Sequence, residues 1–348
     1  MAKMPTTIDE VTSAWLTETT GWDIEAATTE QIGVGIGVSS AVYRVHLRGA
    51  GSPETVVVKL PALDPAAVFT STMLRMYLRE TQFFLKLAHQ TPIRVPRCHH
   101  AEIDPETSQF VLVMEDVGHL REVDQVGGMG ILDAERAIDG LARWHATWWR
   151  QADDLARDGL TVSLSDEIYK AVLPLVFDEG WNKLLGEVEV PSAIQAVGPR
   201  WVAAMPRLLD ALSVAPTTMI HGDFRADNLF FDGTGSVVAL DFQLVGTGHG
   251  AYDLAYFITQ SLTAADASGH EQALFGRWIA GLEGAGVPAA DLSDCWEQYR
   301  VAALFCLAYP VVAWRGMDVT DPRQHDLAIA MLERFDRAVT ELDLMPLL

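Results

Sequence analysis

Hydrophobic positions change rhythm near residue 117. Residues 31–47 are Gly-rich and then alternate, with Val42, Arg44 and His46 set against Tyr43, Val45 and Leu47. That is the period of a half-buried strand. Residues 55–60 form a short β-branched run, and 98–103 and 109–114 read as two more strands joined by the turn-rich Asp104-Pro105-Glu106-Thr107-Ser108. One stretch, 70–89, has helical spacing at Met73, Met76 or Tyr77, Phe84 and Leu87. Beyond Val117-Gly118 helical patterns dominate, at 132–150, 166–185, 199–212, 252–263, 271–282 and 292–314, with one short β insert at 229–240. The pattern predicts an α+β chain with a β-rich part at 1–117 and a mostly helical part at 118–348. A length of 348 residues fits about two domains.

Hydrophobic residues make up 49% of the chain and charged ones 21%, as in a folded globular protein. Asp and Glu number 47 against 25 Lys and Arg, a net charge of −22. That field repels phosphate backbones and anionic lipid, so neither a nucleic acid nor a membrane surface is expected as a partner. The apolar run 301–314 contains Pro310 and falls short of the about 20 residues a membrane span needs, so it reads as a buried helix or helix pair. The N-terminal stretch reads as a helix start, with Thr7 and Glu10 at capping-box spacing, and not as an export or anchor signal. Cys98, Cys295 and Cys306 form no CxxC pair, which points to a reducing, cytoplasmic setting.

The segment His221-Gly222-Asp223-Phe224-Arg225-Ala226-Asp227-Asn228 is the most informative. An apolar approach (Met219, Ile220) leads into it. It is followed by Leu229-Phe230-Phe231, the turn signal Asp232-Gly233-Thr234-Gly235, and Val237-Val238-Ala239-Leu240. This is a hairpin pattern that brings Asn228 and Asp241 to its open end. Asn228 and Asp241 offer the oxygen donors a hard divalent cation takes, and Asp223 is left to orient a hydroxyl or accept its proton. Arg225 stands where a cation would offset charge on a transferring phosphoryl group. The plain alternatives are turn and cap chemistry for the loop and a solvated charge for Arg225. The spacing Asp-x-x-x-x-Asn with a later Asp matches the general template for phosphoryl transfer.

Lysine is scarce (Lys3, Lys59, Lys86, Lys170, Lys183), and Lys59 ends the apolar run Thr55-Val56-Val57-Val58. A cation there needs a negative partner unless it snorkels to solvent. Glu80 shares the helical stripe of Met73, Met76, Phe84 and Leu87 and is the simplest partner. The glycines of Gly33-Val34-Gly35-Ile36-Gly37-Val38-Ser39-Ser40 would let backbone approach phosphates, although the spacing is not G-x-G-x-x-G. Asp253 would cap a helix and also bond the catalytic loop. His99 and His100 are adjacent on a strand and point to opposite faces, and the set Trp144, His145, Trp148, Trp149 reads as core.

Together these segments resemble the small-molecule kinases of the aminoglycoside phosphotransferase and choline kinase superfamily, nearest to its ecdysteroid-kinase-like branch. The residues that carry the likeness are Gly33 to Ser40, Val58-Lys59, 79–84, Val113-Met114-Glu115-Asp116, His145-Ala146, His221 to Asn228, Asp241-Phe242-Gln243 and Asp253-Leu254-Ala255. The resemblance implies a two-lobed, protein-kinase-like fold: an N-lobe of antiparallel sheet plus one helix, a helical C-lobe, and ATP between them. It implies Asp223 as catalytic base and Asn228 and Asp241 as Mg²⁺ ligands. Lys59 would sit on the α- and β-phosphates with Glu80 behind it. The loop through Gly35, Ser39 and Ser40 would lie near the phosphates, the backbone from Glu115 to Val117 would hold adenine, and Asp253 would brace the loop through His221. The irregular Gly loop and Gln243 in place of Gly are departures from the wider kinase pattern.

The favoured expectation is transfer of the ATP γ-phosphate to a hydroxyl of a small molecule: an amino sugar, an aminoglycoside-like or steroid-like compound, or another alcohol. A catalytically inactive nucleotide-binding pseudokinase acting by interaction is the alternative. A protein kinase fits less well, since no Ala-Pro-Glu segment or long activation loop follows Asp241. The acceptor would lie among the C-terminal helices, near Trp148, Asp178, Trp181, Tyr309 or Trp314.

Overall fold

The structure, a computed structural model, describes residues 3–33 and 39–348. The chain divides into two compact units, one of Met1–Leu120 with Leu240–Leu244 and one of Arg121–Ala239 with Val245–Leu348. The sequence pattern had put the change at 117 and left 240–244 in the second part. Side-chain bonds to the first unit explain the difference. The Phe242 ring stacks on Phe83 at 3.9 Å and 11°, and the Phe242 N–H donates to Glu80 Oε1 at 3.3 Å. Ser39 Oγ donates to Gln243 Oε1, and the Arg79 guanidinium donates to the Leu244 carbonyl.

In the first unit α1 (Ser13–Thr20) precedes five strands: β1 (Asp23–Ile32), β2 (Ser40–Ala50), β3 (Thr55–Pro61), β4 (Cys98–Ile103) and β5 (Phe110–Glu115). Their order is β1-β2-β3-β5-β4, antiparallel throughout. β3 is central, with Lys59 opposite Val42 on one side and Leu112 on the other. Val56, Val58 and Leu60 alternate onto one face and pack with Trp15, Ile24, Tyr43, Val45, Val111 and Val113. By the same period Lys59 belongs to the opposite face. The capping box at Thr7 and Glu10 closes only a single 3₁₀ turn, and α1 starts later with Thr12 Oγ1 accepting from Trp15 N–H.

The single helix expected over 70–89 is two helices, α2 (Pro65–Met73) and α3 (Met76–Gln82), continued by a π-helical turn at Phe83–Leu87. They break at Arg75, whose φ is +55°. The break swings Met73 out to 42% exposure, while Glu80 (1%), Phe84 and Leu87 keep the buried stripe.

The second unit holds α4 (Ile131–Thr147), α5 (Ala152–Arg157), β6 (Val162–Ser163), α6 (Glu167–Glu187), α7 (Ser192–Ala211), β7 (Thr218–Ile220), β8 (Leu229–Phe231), β9 (Val237–Ala239), β10 (Gly246–Gly248), α8 (Ala251–Ser261), α9 (Ala264–Gly284), α10 (Cys295–Phe305), α11 (Ala308–Gly316) and α12 (Pro322–Glu341). The hairpin forms as its turn residues require. Asp232 Oδ1 accepts from the N–H groups of Thr234 and Ser236 at 2.9 Å, and Leu229 pairs with Ala239. The apolar run near 301–314 is the helix pair α10 and α11. Among the described residues no helix is long and apolar enough to cross a membrane. Together the units make a mixed α+β architecture of antiparallel sheet and helical part, the fold class the sequence predicts.

Candidate active site

In the first unit three separate segments meet at Lys59. Its Nζ lies 2.8 Å from both carboxylate oxygens of Glu80 and 3.3 Å from Asp241 Oδ1. Lys59 is 7% exposed, so the pair is a buried one. Burial works against the ammonium charge, but the carboxylates of Asp241 and Glu80 outweigh it and hold the pKa above the ordinary lysine value. Lys59 therefore stays cationic at any physiological pH. Asp241 is the more open partner, its side chain 28% exposed, and takes a left-handed backbone (φ +64°).

The other first-unit candidates are placed unevenly. Gly35 lies outside the described residues. Ser39 bonds Gln243, and Ser40 is buried at the start of β2 with no partner for its hydroxyl among the described residues. Glu115 directs its carboxylate to Arg94 (2.7 Å) and the Arg97 N–H (3.1 Å), and its own N–H donates to the Arg97 carbonyl. The Val117 carbonyl accepts from Leu120 N–H at 2.9 Å. His99 and His100 pack on Trp22 and Trp15, and His100 also meets Glu102.

In the second unit the loop after β7 is held from beneath by one carboxylate. Asp253, in the first turn of α8 and fully buried, accepts from the His221 N–H at 2.7 Å and the Gly222 N–H at 2.9 Å. Its third donor is His145 Nε2 at 3.1 Å. His145 Nδ1 accepts from Trp278 Nε1, which places the ring proton on Nε2 and makes that contact a donation. Asp253 thus braces the loop through the backbone of His221 and Gly222, and the His221 ring's Nδ1 accepts from Asp223 N–H at 3.3 Å. Gly222 has φ +85°, a conformation that favours glycine.

The brace presents Asp223, which is 8% exposed. Asn228 donates through Nδ2 to both the Asp223 carbonyl and Oδ2 at 2.9 Å. That orientation turns the Asn228 amide oxygen away from the carboxylate. Arg225 is no solvated loop charge. Its Nε donates to Asp223 Oδ1 at 3.2 Å, and its Nη1 to Asp227 Oδ2 at 2.7 Å and to Gln125. Burial opposes the guanidinium charge, but the carboxylates of Asp223 and Asp227 keep its pKa above the usual arginine value. Asp241 in the first unit and Asn228 in the second each carry an oxygen donor of the hard kind that a divalent ion takes.

The match to a family model settles which proteins these features belong with. The model is that of the phosphotransferase enzyme family, and it spans residues 30–300. The chain belongs to that family. It is accordingly an enzyme, a small-molecule kinase with a hydroxyl acceptor. Solved structures share its fold. A Ralstonia eutropha JMP134 protein described provisionally as an aminoglycoside phosphotransferase aligns at TM-score 0.59 and 18% identity, covering 94% of this chain and 97% of that one. The GDP and kanamycin complex of APH(2″)-IIIa aligns at TM-score 0.57 and 14% identity, with coverages of 94% and 98%. Macrolide 2′-phosphotransferase from Brachybacterium faecium aligns at TM-score 0.50 and 18% identity, with coverages of 91% and 96%. At these identities the likeness is one of fold. No curated protein matches the chain.

Within this phosphotransferase, two site residues escaped the sequence reading. Tyr256 donates its hydroxyl to Asp223 Oδ1 at 2.9 Å, and Gln125 accepts from Arg225. Tyr256 lies three residues after Asp253, close to one helical turn, and that spacing was the available signal. The expected acceptor-site residues differ in burial. Trp148, Trp181 and Trp314 are buried and Asp178 is exposed, while Tyr309 touches the loop, its hydroxyl donating to the Gly222 carbonyl at 3.1 Å.

Proposed function

We propose that this phosphotransferase moves the γ-phosphoryl group of ATP to a hydroxyl of a small molecule. The observation that carries the reading is the buried clasp of Lys59 by Glu80 and Asp241, which joins three segments far apart in sequence. Core packing gives no reason to bury one lysine with two carboxylates, since apolar residues of similar size do as well or better. Phosphate binding with an adjacent metal ligand does give one.

In this reading Lys59 contacts the α- and β-phosphates and Glu80 fixes its position. Asp241 and Asn228 hold Mg²⁺. When bound, that ion offsets charge on the β- and γ-phosphate oxygens. Asp223 orients the acceptor hydroxyl and takes its proton. Arg225 secures the Asp223 and Asp227 carboxylates, and its charge favours a transition state rich in negative charge. Ser39 and Ser40 lie near the phosphates, Glu115 to Val117 beside adenine, and His221 and Asp253 keep the loop in shape. The acceptor is an amino sugar, an aminoglycoside-like or steroid-like compound, or another alcohol. Nothing in the acidic charge balance favours a nucleic-acid or membrane partner. Three free thiols support a cytoplasmic setting. The Asp241-Phe242-Gln243 triplet supports placement near the ecdysteroid-kinase-like branch.

The test is thermal unfolding with and without Mg²⁺-ATP, in the wild type and in Asp241→Ala. Ligand at about 100 times its dissociation constant stabilises by roughly 2.7 kcal/mol. A Mg²⁺-dependent shift that weakens in the variant is expected, followed by ADP release on a panel of alcohols and aminoglycosides. No shift at millimolar ATP would remove the reading, and a panel silent on aminoglycosides would remove that acceptor class.

A further inference from the structure

The carboxylate of Asp223 is asymmetric in its partners. A carboxylate offers about four lone-pair sites, two on each oxygen. Oδ1 accepts from the Tyr256 hydroxyl at 2.9 Å and from Arg225 Nε at 3.2 Å. Oδ2 accepts only from Asn228 Nδ2 among the described residues, at 2.9 Å. Both sites on Oδ1 are taken, and one on Oδ2 is open.

Tyr256 is itself fixed. Its ring stacks on Tyr309 at 3.7 Å and 13°. Tyr309 spends its single hydroxyl proton on the Gly222 carbonyl, so in its contact with Tyr252 the Tyr252 hydroxyl is the donor. The stack therefore ties Tyr256 to the same loop that carries Asp223. Burial, and then the Asp223 charge, push the Tyr256 phenol well above its usual pKa, which keeps it a donor. Core packing alone would be served by phenylalanine at this position.

We propose, resting on the phosphotransfer reading above, that Tyr256 is a positioning residue that closes Oδ1 of Asp223 and leaves Oδ2 to receive the acceptor hydroxyl. The acceptor oxygen uses a lone pair to bond the γ-phosphorus as the bond from phosphorus to the ADP oxygen breaks. ADP leaves with that electron pair, and the acceptor proton passes to Oδ2. Without the Tyr256 bond a lone-pair site on Oδ1 opens, and Oδ1 and Oδ2 compete for the acceptor.

The experiment uses Mg²⁺-ATP with water as acceptor, read by ADP release, so that no acceptor need be known. Tyr256→Phe keeps the ring and its stack and loses only the hydroxyl. Tyr299→Phe is the control, because among the described residues the Tyr299 hydroxyl bonds Glu271 and no part of the loop. Assays run below the lower melting temperature, and Tyr256→Leu serves if the Phe variant does not fold. Misplacement of a reacting group lowers kcat, so a fall of about tenfold or more is expected in Tyr256→Phe, with the ATP KM within about twofold of wild type and Tyr299→Phe unchanged. An unaltered kcat, or a loss confined to KM, overturns the assignment and leaves the phosphotransfer reading standing. A wild type that releases no ADP and gains no thermal stability from Mg²⁺-ATP overturns that reading and this assignment with it.

Discussion

Replacing Lys59 by Met tests whether the ion pair is the organising contact of the first unit. Lys59 is 7% exposed and Glu80 1%, so the substitution strands a carboxylate away from water. Its one other hydrogen bond among the described residues is the Phe242 N–H at 3.3 Å. Removing one partner of such a pair costs about 3–5 kcal/mol. At about 1.4 kcal/mol per tenfold, local opening becomes roughly two to four orders of magnitude more frequent. Whole-chain melting would blur this, because the chain has two units and only Trp15 and Trp22 lie in the first. Native-state hydrogen exchange of β3 and β5, which pair Lys59 with Leu112, reads it directly. Lys59→Met combined with Glu80→Leu replaces both charges by apolar groups and is expected to bring exchange back to within about tenfold of wild type. Asp241 tolerates the loss because its side chain keeps 28% of its exposure. Stabilisation by Mg²⁺-ATP should not return with it. A silent single variant, or a double variant as fast as the single, would refute the reasoning.

Two further outcomes concern the second unit. Burial, and then the neighbouring His145, hold the His249 pKa down at about 4, and its Nδ1 accepts the Ala251 N–H at 3.1 Å. Between about 4 and about 6.5 the unfolded chain binds a proton that the native state does not, so this contribution is full above about 6.5 and is lost as pH falls toward about 4. It amounts to about 3 kcal/mol at most, and His249→Gln should flatten that part of a pH–stability curve; an unchanged slope would sink the argument. A Cβ added at Gly180 would lie 2.1 Å from the Val311 carbonyl oxygen, where α6 meets α11. Gly180→Ala should lower stability by about 1–3 kcal/mol in urea titration, and an undiminished midpoint would contradict that close approach.

How much of this could be read from the sequence depended on what each residue type demands. β2 and β3 announced themselves by alternation or a β-branched run, and β4 and β5 by the turn-rich stretch between them. β1 did not, because its sequence is mostly polar and among the described residues it pairs on one side, with β2. The break at Arg75 carries no Gly or Pro to mark it. α12 was legible and went unread: Asp321 caps it, Pro322 opens it, and Ala328, Met331, Leu332, Phe335 and Val339 recur on one face.

At the candidate site the same logic separates the residues that were found from those that were not. A lysine at the end of an apolar strand is costly alone, so its presence implies an acid, and Glu80 was the acid on a buried stripe. Asp223, Asn228 and Asp241 came from a spacing whose chemistry is shared by phosphoryl-transfer sites. Tyr256 offers no such tension. Every residue of α8 is buried, and a tyrosine among them reads as core because its ring satisfies the apolar surroundings whether or not its hydroxyl has a task. Asp253 is the contrasting case on the same helix. A carboxylate there can be tolerated only with several donors, and two of the three it finds are backbone N–H groups of the catalytic loop. Sequence exposes a buried charge because the charge requires a partner, whereas a buried hydroxyl on an aromatic ring is disclosed only when the loop it holds is seen folded against it.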